Sequence, residues 1–195
     1  MLKNKHYGFV FAFSIQTIFM KKAFFILLIT LVSFSCKKKI EELPPATQTG
    51  ANTFGARVDG QMWIPQRFGV INASNLLEAR LLGNNFFLTA QNFASSPNES
   101  EFDIVIVGLT APGTYTLNSN TSHPNSNFSY GYYVKRKLSP LFEYITSTTY
   151  SGTVNITRFD TTSRIVSGTF AFQAGETANT AAPMNVTEGR FDVKY

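Results

Sequence analysis

The chain has 195 residues, a formal net charge of +5 and a single cysteine, Cys36. A single cysteine excludes an intramolecular disulfide framework, so the folded part must depend on a packed core. Residues 1–35 contain four lysines and no acidic residue, whereas the rest carries 13 basic and 12 acidic side chains. The excess positive charge therefore belongs to the N-terminal segment, and it gives no argument for a nucleic-acid partner.

The N-terminal segment has the pattern of an export signal. Two lysines at 21–22 precede an apolar stretch over residues 23–32, and Ser33 and Ser35 lead to Cys36. This order predicts a signal peptide over residues 1–35, cleaved before the cysteine. The apolar stretch is shorter than the roughly 20 residues that a membrane span needs. We therefore expect Cys36 to be acylated with diacylglycerol and palmitate, and Met20 to be the true start of the signal.

The Ser35-Cys36 junction resembles the relaxed lipoprotein processing sites of the Bacteroidota. This resemblance implies a lipid-anchored protein of the cell envelope, most naturally at the outer membrane, and leaves open which face of that membrane it occupies. The acidic pair at 41–42 resembles a surface-export signal, but three lysines at 37–39 precede it. Residues 36–52 read as the lipidated cysteine and a flexible tether, because they combine charges, Pro44 and Pro45 with small polar residues.

Residues 53–195 predict one all-β domain. Apolar and polar residues alternate over short runs, and Gly, Asn, Asp and Pro interrupt them at short intervals. The pair Asp59-Gly60 is a strong hairpin signal, and Gly83-Asn84-Asn85 marks another hairpin. About nine or ten strands at this spacing predict a single antiparallel β-sandwich or barrel, and the pattern does not choose between them. Trp63 reads as a core residue.

Five stretches resemble a lipoprotein domain family that is common in the Bacteroidota. They are Phe54-Gly-Ala-Arg-Val-Asp-Gly60, Pro112-Gly-Thr-Tyr-Thr-Leu117, and the three runs 151–160, 165–172 and 186–193 near the C-terminus. The family has no assigned activity. The resemblance implies a fold and a cellular address for residues 53–195 and implies no catalytic residue.

An acidic cluster is the first candidate site. Glu99, Glu101 and Asp103 are spaced by two, so on a strand they point to the same side. Such a cluster is typical either of calcium binding or a paired acid and base, or of surface carboxylates paired across strands with Lys or Arg. The second interpretation is favoured, because the sequence has no calcium loop. We predict no metal site and no cofactor.

Aromatic and hydroxyl residues suggest two further candidates. Tyr130 and Tyr132, with Arg136, form a possible ledge for sugar rings or peptides, unless that strand face is core. Thr161 follows Asp160 in a predicted turn and matches a short O-glycosylation pattern of exported Bacteroidota proteins. His123 lies in a polar loop, where we expect it to be solvated and not part of a catalytic triad.

These features favour a non-enzymatic binding or structural module held at the membrane by N-terminal acyl chains, with a glycan or a protein as a possible partner. One alternative is a glycan-directed hydrolase that uses Glu101 and Asp103. Another is a barrel carrier of a small apolar ligand. Converging carboxylates in a cleft would favour the hydrolase, and an apolar cavity of several hundred Å3 would favour the carrier.

Overall fold

The computed structural model describes residues 42–67, 76–94, 98–136 and 142–195. The predicted signal segment, Met20 and Cys36 lie outside these ranges. The described residues contain no helix that is long and apolar enough to cross a membrane. They form eleven strands: β1 Thr53–Val58, β2 Gln61–Trp63, β3 Leu77–Leu82, β4 Asn85–Asn92, β5 Glu99–Ile106, β6 Gly113–Leu117, β7 Tyr130–Arg136, β8 Phe142–Ile145, β9 Gly152–Asp160, β10 Ile165–Glu176 and β11 Met184–Lys194.

All strand pairs are antiparallel, as predicted. Nine strands follow one another in the hydrogen-bonded order β2-β1-β11-β10-β8-β7-β5-β4-β3, while β9 pairs with β10 and β6 pairs with β9. The long strand β10 joins two sheets, since its first part pairs with β9 and β11 and its last two residues pair with β8. We call the β2-β1-β11-β10-β9-β6 part sheet A and the β3-β4-β5-β7-β8 part sheet B. The result is a curled half-barrel, which lies between the two predicted alternatives.

Local signals explain the hairpins. Asp59 and Gly60 have φ values of 49° and 80°, and positive φ at both central residues is what a two-residue hairpin turn of type I′ requires. Strands β1 and β2 pair across this turn, with Val58 opposite Gln61. The second predicted hairpin is also confirmed, because β3 pairs with β4 from Leu82 opposite Asn85 onward.

Aromatic rings from the two sheets fill the space between them. The ring of Phe102 on β5 lies 4.7 Å from those of Trp63 and Tyr133 and 5.6 Å from that of Phe54, between ring centroids. Such pairs contribute about 0.5–1.5 kcal/mol each beyond the area they bury. Trp63 is buried and its indole N–H donates to the Ser100 hydroxyl at 2.8 Å. The prediction that Trp63 is a core residue is confirmed.

The segment before β1 contradicts part of the predicted tether. The Asp192 carboxylate on β11 is buried and accepts hydrogen bonds from the hydroxyls of Thr47 and Ser167 and from the N–H groups of residues 49–51, at 2.6–3.1 Å. Pro44 lies against Gly55 on β1. The flexible tether predicted over residues 36–52 was therefore wrong for its second half. We call residues 43–51 the N-terminal strap.

Candidate functional site

The acidic residues of β5 lie on the outer face of sheet B. Phe102, Ile104 and Ile106 point into the core, so the alternation of the strand turns Glu101 and Asp103 outward. Both remain about nine-tenths buried.

On the β4 side, the cross-strand neighbours of Glu101 and Asp103 are uncharged. The Thr89 hydroxyl donates to Asp103 Oδ1, and the Gln91 amide donates to Glu101 Oε2, each at 2.5 Å. Both donors lie on β4 directly opposite their acceptors. A hydroxyl and an amide therefore occupy the cross-strand positions where Lys or Arg was expected. Glu99 stands opposite Arg136 in the register of β5 and β7.

A metal interpretation of this cluster finds no support in the described parts of the chain. Within those parts, no three His, Cys, Asp or Glu side chains converge closely enough to hold a metal ion. The carboxylates of Glu101 and Asp103 are instead held by the short hydrogen bonds from β4.

Tyr130 and Tyr132 share the outer face with these carboxylates, but they are not an open ledge. They are only 1% and 4% exposed and pack with Val105 and Val134 in a small second core. The Tyr132 hydroxyl donates to Glu143 Oε1 at 2.5 Å. Burial, and then this hydrogen bond, raise the pKa of Tyr132 far above its usual value. Of the two alternatives left open by the sequence, this strand face is therefore core, because a loop covers both rings. For Arg136, the structure describes the backbone only.

The covering loop, residues 118–129, is attached to the sheet through His123. The imidazole of His123 stacks on the ring of Tyr132, with centroids 3.8 Å apart and planes 9° from parallel. Its Nδ1 lies 3.1 Å from the Tyr130 hydroxyl, and its Nε2 lies 3.7 Å from Asp103 Oδ2. The Asn125 N–H also donates to the Tyr130 hydroxyl, at 3.1 Å.

The expectation that His123 is a solvated loop residue was therefore wrong. Its side chain is 24% exposed, and both ring nitrogens face protein oxygens. An imidazole engaged in this way holds the loop against sheet B.

A pocket of about 310 Å3 opens between the covering loop and strands β3 to β5. Its lining includes the apolar side chain of Phe87 and polar groups from both the loop and the strands. The polar residues are Arg80, Thr89, Asp103, His123, Asn125 and Ser126. Arg80 is largely exposed and lies 3.4 Å from Glu78. A volume near 300 Å3 is at the lower end of the range for small-molecule sites, so this pocket fits one small polar group better than an extended chain.

Sequence reasoning missed two members of this outer face. Thr89 lies on β4 and Glu143 on β8, on different strands from the residues to which they bond, and no motif marks them. Their role follows from the register, which places Thr89 opposite Asp103 and Tyr132 beside β8. A correct strand order would have been the only signal that could find them.

Thr161 lies elsewhere, at the tip of the turn between β9 and β10, where residues 161–164 are exposed. Asp160 shapes this turn, because its carboxylate accepts the N–H groups of Thr162 and Ser163 at 2.9 and 2.8 Å. These bonds, together with Arg158 at 2.7 Å, lower the pKa of Asp160 to about 2. The turn thus presents the threonine at the surface.

The fold and this outer face define a small antiparallel β domain with a loop-covered pocket. The chain belongs to the family described as "Domain of unknown function (DUF6252)", whose model matches residues 82–193. That range runs from the end of β3 almost to the end of β11 and includes the covering loop and every pocket-lining residue except Arg80. Comparisons with curated proteins and with solved structures found no match.

Proposed function

We propose that this chain is a lipid-anchored cell-envelope protein of the Bacteroidota type, whose β domain is a non-enzymatic binding module. In this proposal the acyl chains on Cys36 anchor the protein in the outer membrane. The support for the anchor is the sequence alone: the lysine pair, the short apolar stretch and the single cysteine at its end.

The pocket beneath the covering loop is the observation that supports binding. Asp103, Asn125 and Arg80 offer a carboxylate, an amide and a guanidinium around a partly apolar lining. Carboxylates and amides accept or donate the hydrogen bonds that sugar hydroxyls make, and a guanidinium pairs with an acidic group. The best-fitting ligand class is therefore a sugar residue or a polar peptide side chain.

The hydrolase alternative has weaker support. A glycosidase needs two carboxyl groups on either side of one bond, but of Glu101 and Asp103 only Asp103 lines the pocket. The carrier alternative also has weaker support, because interlocked rings such as Phe102, Trp63 and Phe170 occupy the space between the sheets.

Binding is tested with the full chain in detergent on an array of neutral and acidic oligosaccharides. We expect Arg80→Ala to lower the signal of any bound glycan at least severalfold. Arg57→Ala is the matched control, since Arg57 is a surface arginine on β1 and is ion-paired with Glu188 at 3.1 Å. Equal losses in both variants, or no bound glycan on the array, would argue against the pocket as a glycan site.

The anchor is tested by growing cells with an alkyne-labelled fatty acid. The wild-type chain should carry the label and fractionate with membranes, whereas Cys36→Ser should lose both properties. O-glycosylation at Thr161, which the short sequence pattern suggests, is tested in the same cells by measuring the intact mass of the protein. The mass should fall by that of a glycan in Thr161→Ala. In Thr162→Ala it should change only by the substitution itself.

A further inference from the structure

The N-terminal strap shortens the distance over which an anchor at Cys36 can hold the domain. The strap contacts the rest of the domain at both of its ends. Leu43 and Pro44 lie against Gly55, and the N–H groups of residues 49–51 donate hydrogen bonds to Asp192. Leu43 is the seventh residue after Cys36, and seven Cα-to-Cα steps span at most about 25 Å. A domain of about 150 residues has a radius of gyration near 15 Å and a diameter near 40 Å. The segment between Cys36 and the strap is therefore shorter than the domain is wide.

Two large apolar side chains are exposed in the described ranges. Leu82 is 61% and Phe128 is 45% exposed, and no other large apolar residue there has comparable exposure. Leu82 ends β3 at a tight hairpin, and Phe128 lies in the covering loop just before β7. We call these two residues the apolar tip. Single exposed apolar side chains are common, so their meaning depends on their location.

Both residues lie at the same end of sheet B. Asn85 stands opposite Leu82, and its side-chain amide donates to the Ser126 carbonyl, two residues before Phe128, at 3.1 Å. The next residue, Phe86, stacks on Phe191 of sheet A at 6.1 Å between centroids. Phe191 adjoins Asp192, which holds the strap. The apolar tip and the strap are therefore at one end of the domain.

Basic side chains surround this end. Lys194 is exposed and lies against Gly50 of the strap. Its cross-strand partner on β10 is Ile165, and Arg164 directly precedes Ile165 in the sequence. Arg80 lies two residues before Leu82; it is largely exposed and lies 3.4 Å from Glu78. The acidic Asp160 at this end is already engaged by Arg158. Exposed apolar side chains flanked by Lys and Arg are typical of surfaces that lie in a membrane interface.

We propose that the apolar tip docks on the lipid surface, so that the strap end of the domain faces the membrane and the Asp59-Gly60 turn faces away from it. This inference rests on the proposed acylation of Cys36. The short segment between Cys36 and the strap keeps the domain within reach of the membrane, and the two apolar side chains with their basic neighbours give one end a preference for it. The pocket, which includes Arg80 and Ser126, then opens close to the lipid headgroups.

The test uses the full, acylated chain, purified from membranes and reconstituted into vesicles of phosphatidylethanolamine and phosphatidylglycerol. Because the only natural cysteine is the acylated one, a new cysteine can be labelled selectively with an environment-sensitive fluorophore. Leu82→Cys and Phe128→Cys report on the tip from two separate loops. Gln61→Cys is the matched control, since Gln61 is exposed beside the turn at the far end of β1.

We expect fluorescence at positions 82 and 128 to rise severalfold on reconstitution and to be quenched by spin-labelled lipids. The signal at position 61 should be unchanged. If one tip variant fails to fold, the other carries the same test. A vesicle-bound protein whose probes at 82 and 128 behave like the probe at 61 overturns the docking proposal alone. If the chain carries no acyl group on Cys36 and does not bind the vesicles, both the proposed lipid anchor and the docking proposal that rests on it are overturned.

Discussion

The hydroxyl of Thr47 donates to the carboxylate of Asp192 at 2.6 Å, across 145 residues of sequence. This bond joins the N-terminal strap to the last strand of the domain. Asp192 also accepts from Ser167 on the neighbouring β10 at 2.7 Å. One buried carboxylate therefore ties together the strap and two strands of sheet A.

Replacing this carboxylate should destabilise the domain strongly. In Asp192→Asn, the single amide oxygen cannot accept the full set of donors, and the new NH2 group faces N–H groups instead of an acceptor. We expect the free energy of unfolding to fall by about 3 kcal/mol, measured by urea denaturation of the full chain. Asp160→Asn is the control, because that carboxylate lies in a surface turn. Similar losses in both variants would contradict the role of Asp192.

Stability should also fall in acid. Burial alone would raise the pKa of Asp192, but the hydrogen bonds from Thr47, Ser167 and the backbone outweigh it and hold the pKa well below the usual range. The pKa of Asp160 is lowered to about 2. A folded state with lowered carboxyl pKa values binds fewer protons than the unfolded state, so its stability is present above about pH 4 and is lost as the pH falls.

We therefore expect the urea midpoint of the wild-type chain to decrease from about pH 5 to about pH 2. The decrease should be shallower in Asp192→Asn, which has lost the strongest contributor. A slope that is identical in both proteins would show that other groups cause the acid sensitivity.

Alkaline conditions test the outer face of sheet B. The pKa of Tyr132 is raised, chiefly by burial and then by the bond to Glu143. A raised tyrosine pKa contributes stability that is present below about pH 10 and is lost as the pH rises further. Tyr132→Phe should therefore lose less stability than the wild type between about pH 8 and about pH 11. Urea midpoints at the two pH values measure this, and parallel losses would count against it.

His123 should control the order of the covering loop. His123→Ala removes the ring that stacks on Tyr132 and the partner of the Tyr130 hydroxyl. We expect hydrogen exchange at the Asn125 amide, which bonds to that hydroxyl, to accelerate, with a stability loss of about 1–2 kcal/mol. Ser122→Ala, an exposed change in the same loop, is the control. Unchanged exchange at Asn125 would mean that the loop is held by other contacts.

The strands were predictable because their signals are local. The alternation of Phe102, Ile104 and Ile106 predicts a strand with one buried face, and the structure buries all three. The positive φ of Asp59 and Gly60 follows from a dipeptide that favours it. The last strand begins at Met184, two residues before the run 186–193 singled out from the sequence. Hydrogen-bonding partners, more than side chains, set such ends.

The outer face was only half predictable. The alternation of side chains correctly predicts that Glu101 and Asp103 share one face of their strand, and that Tyr130 and Tyr132 share one face of theirs. It could not show that a loop rich in Asn and Ser folds back over them, because the polar composition of residues 118–127 indicates exposure and gives no information about what His123 contacts. The same limit explains the strap, whose prolines and small residues are typical of a linker.

The sequence by itself determined the all-β class, the two hairpins and the burial of Trp63, since each depends on residues within one or two strands. It also carries the whole case for the anchor at Cys36. The tertiary structure alone decided the strand order, the covering of Tyr132 by His123 and the capture of residues 47–51 by Asp192. These features depend on contacts between residues that are distant in sequence, and only the packing of the complete domain brings such residues within hydrogen-bonding distance.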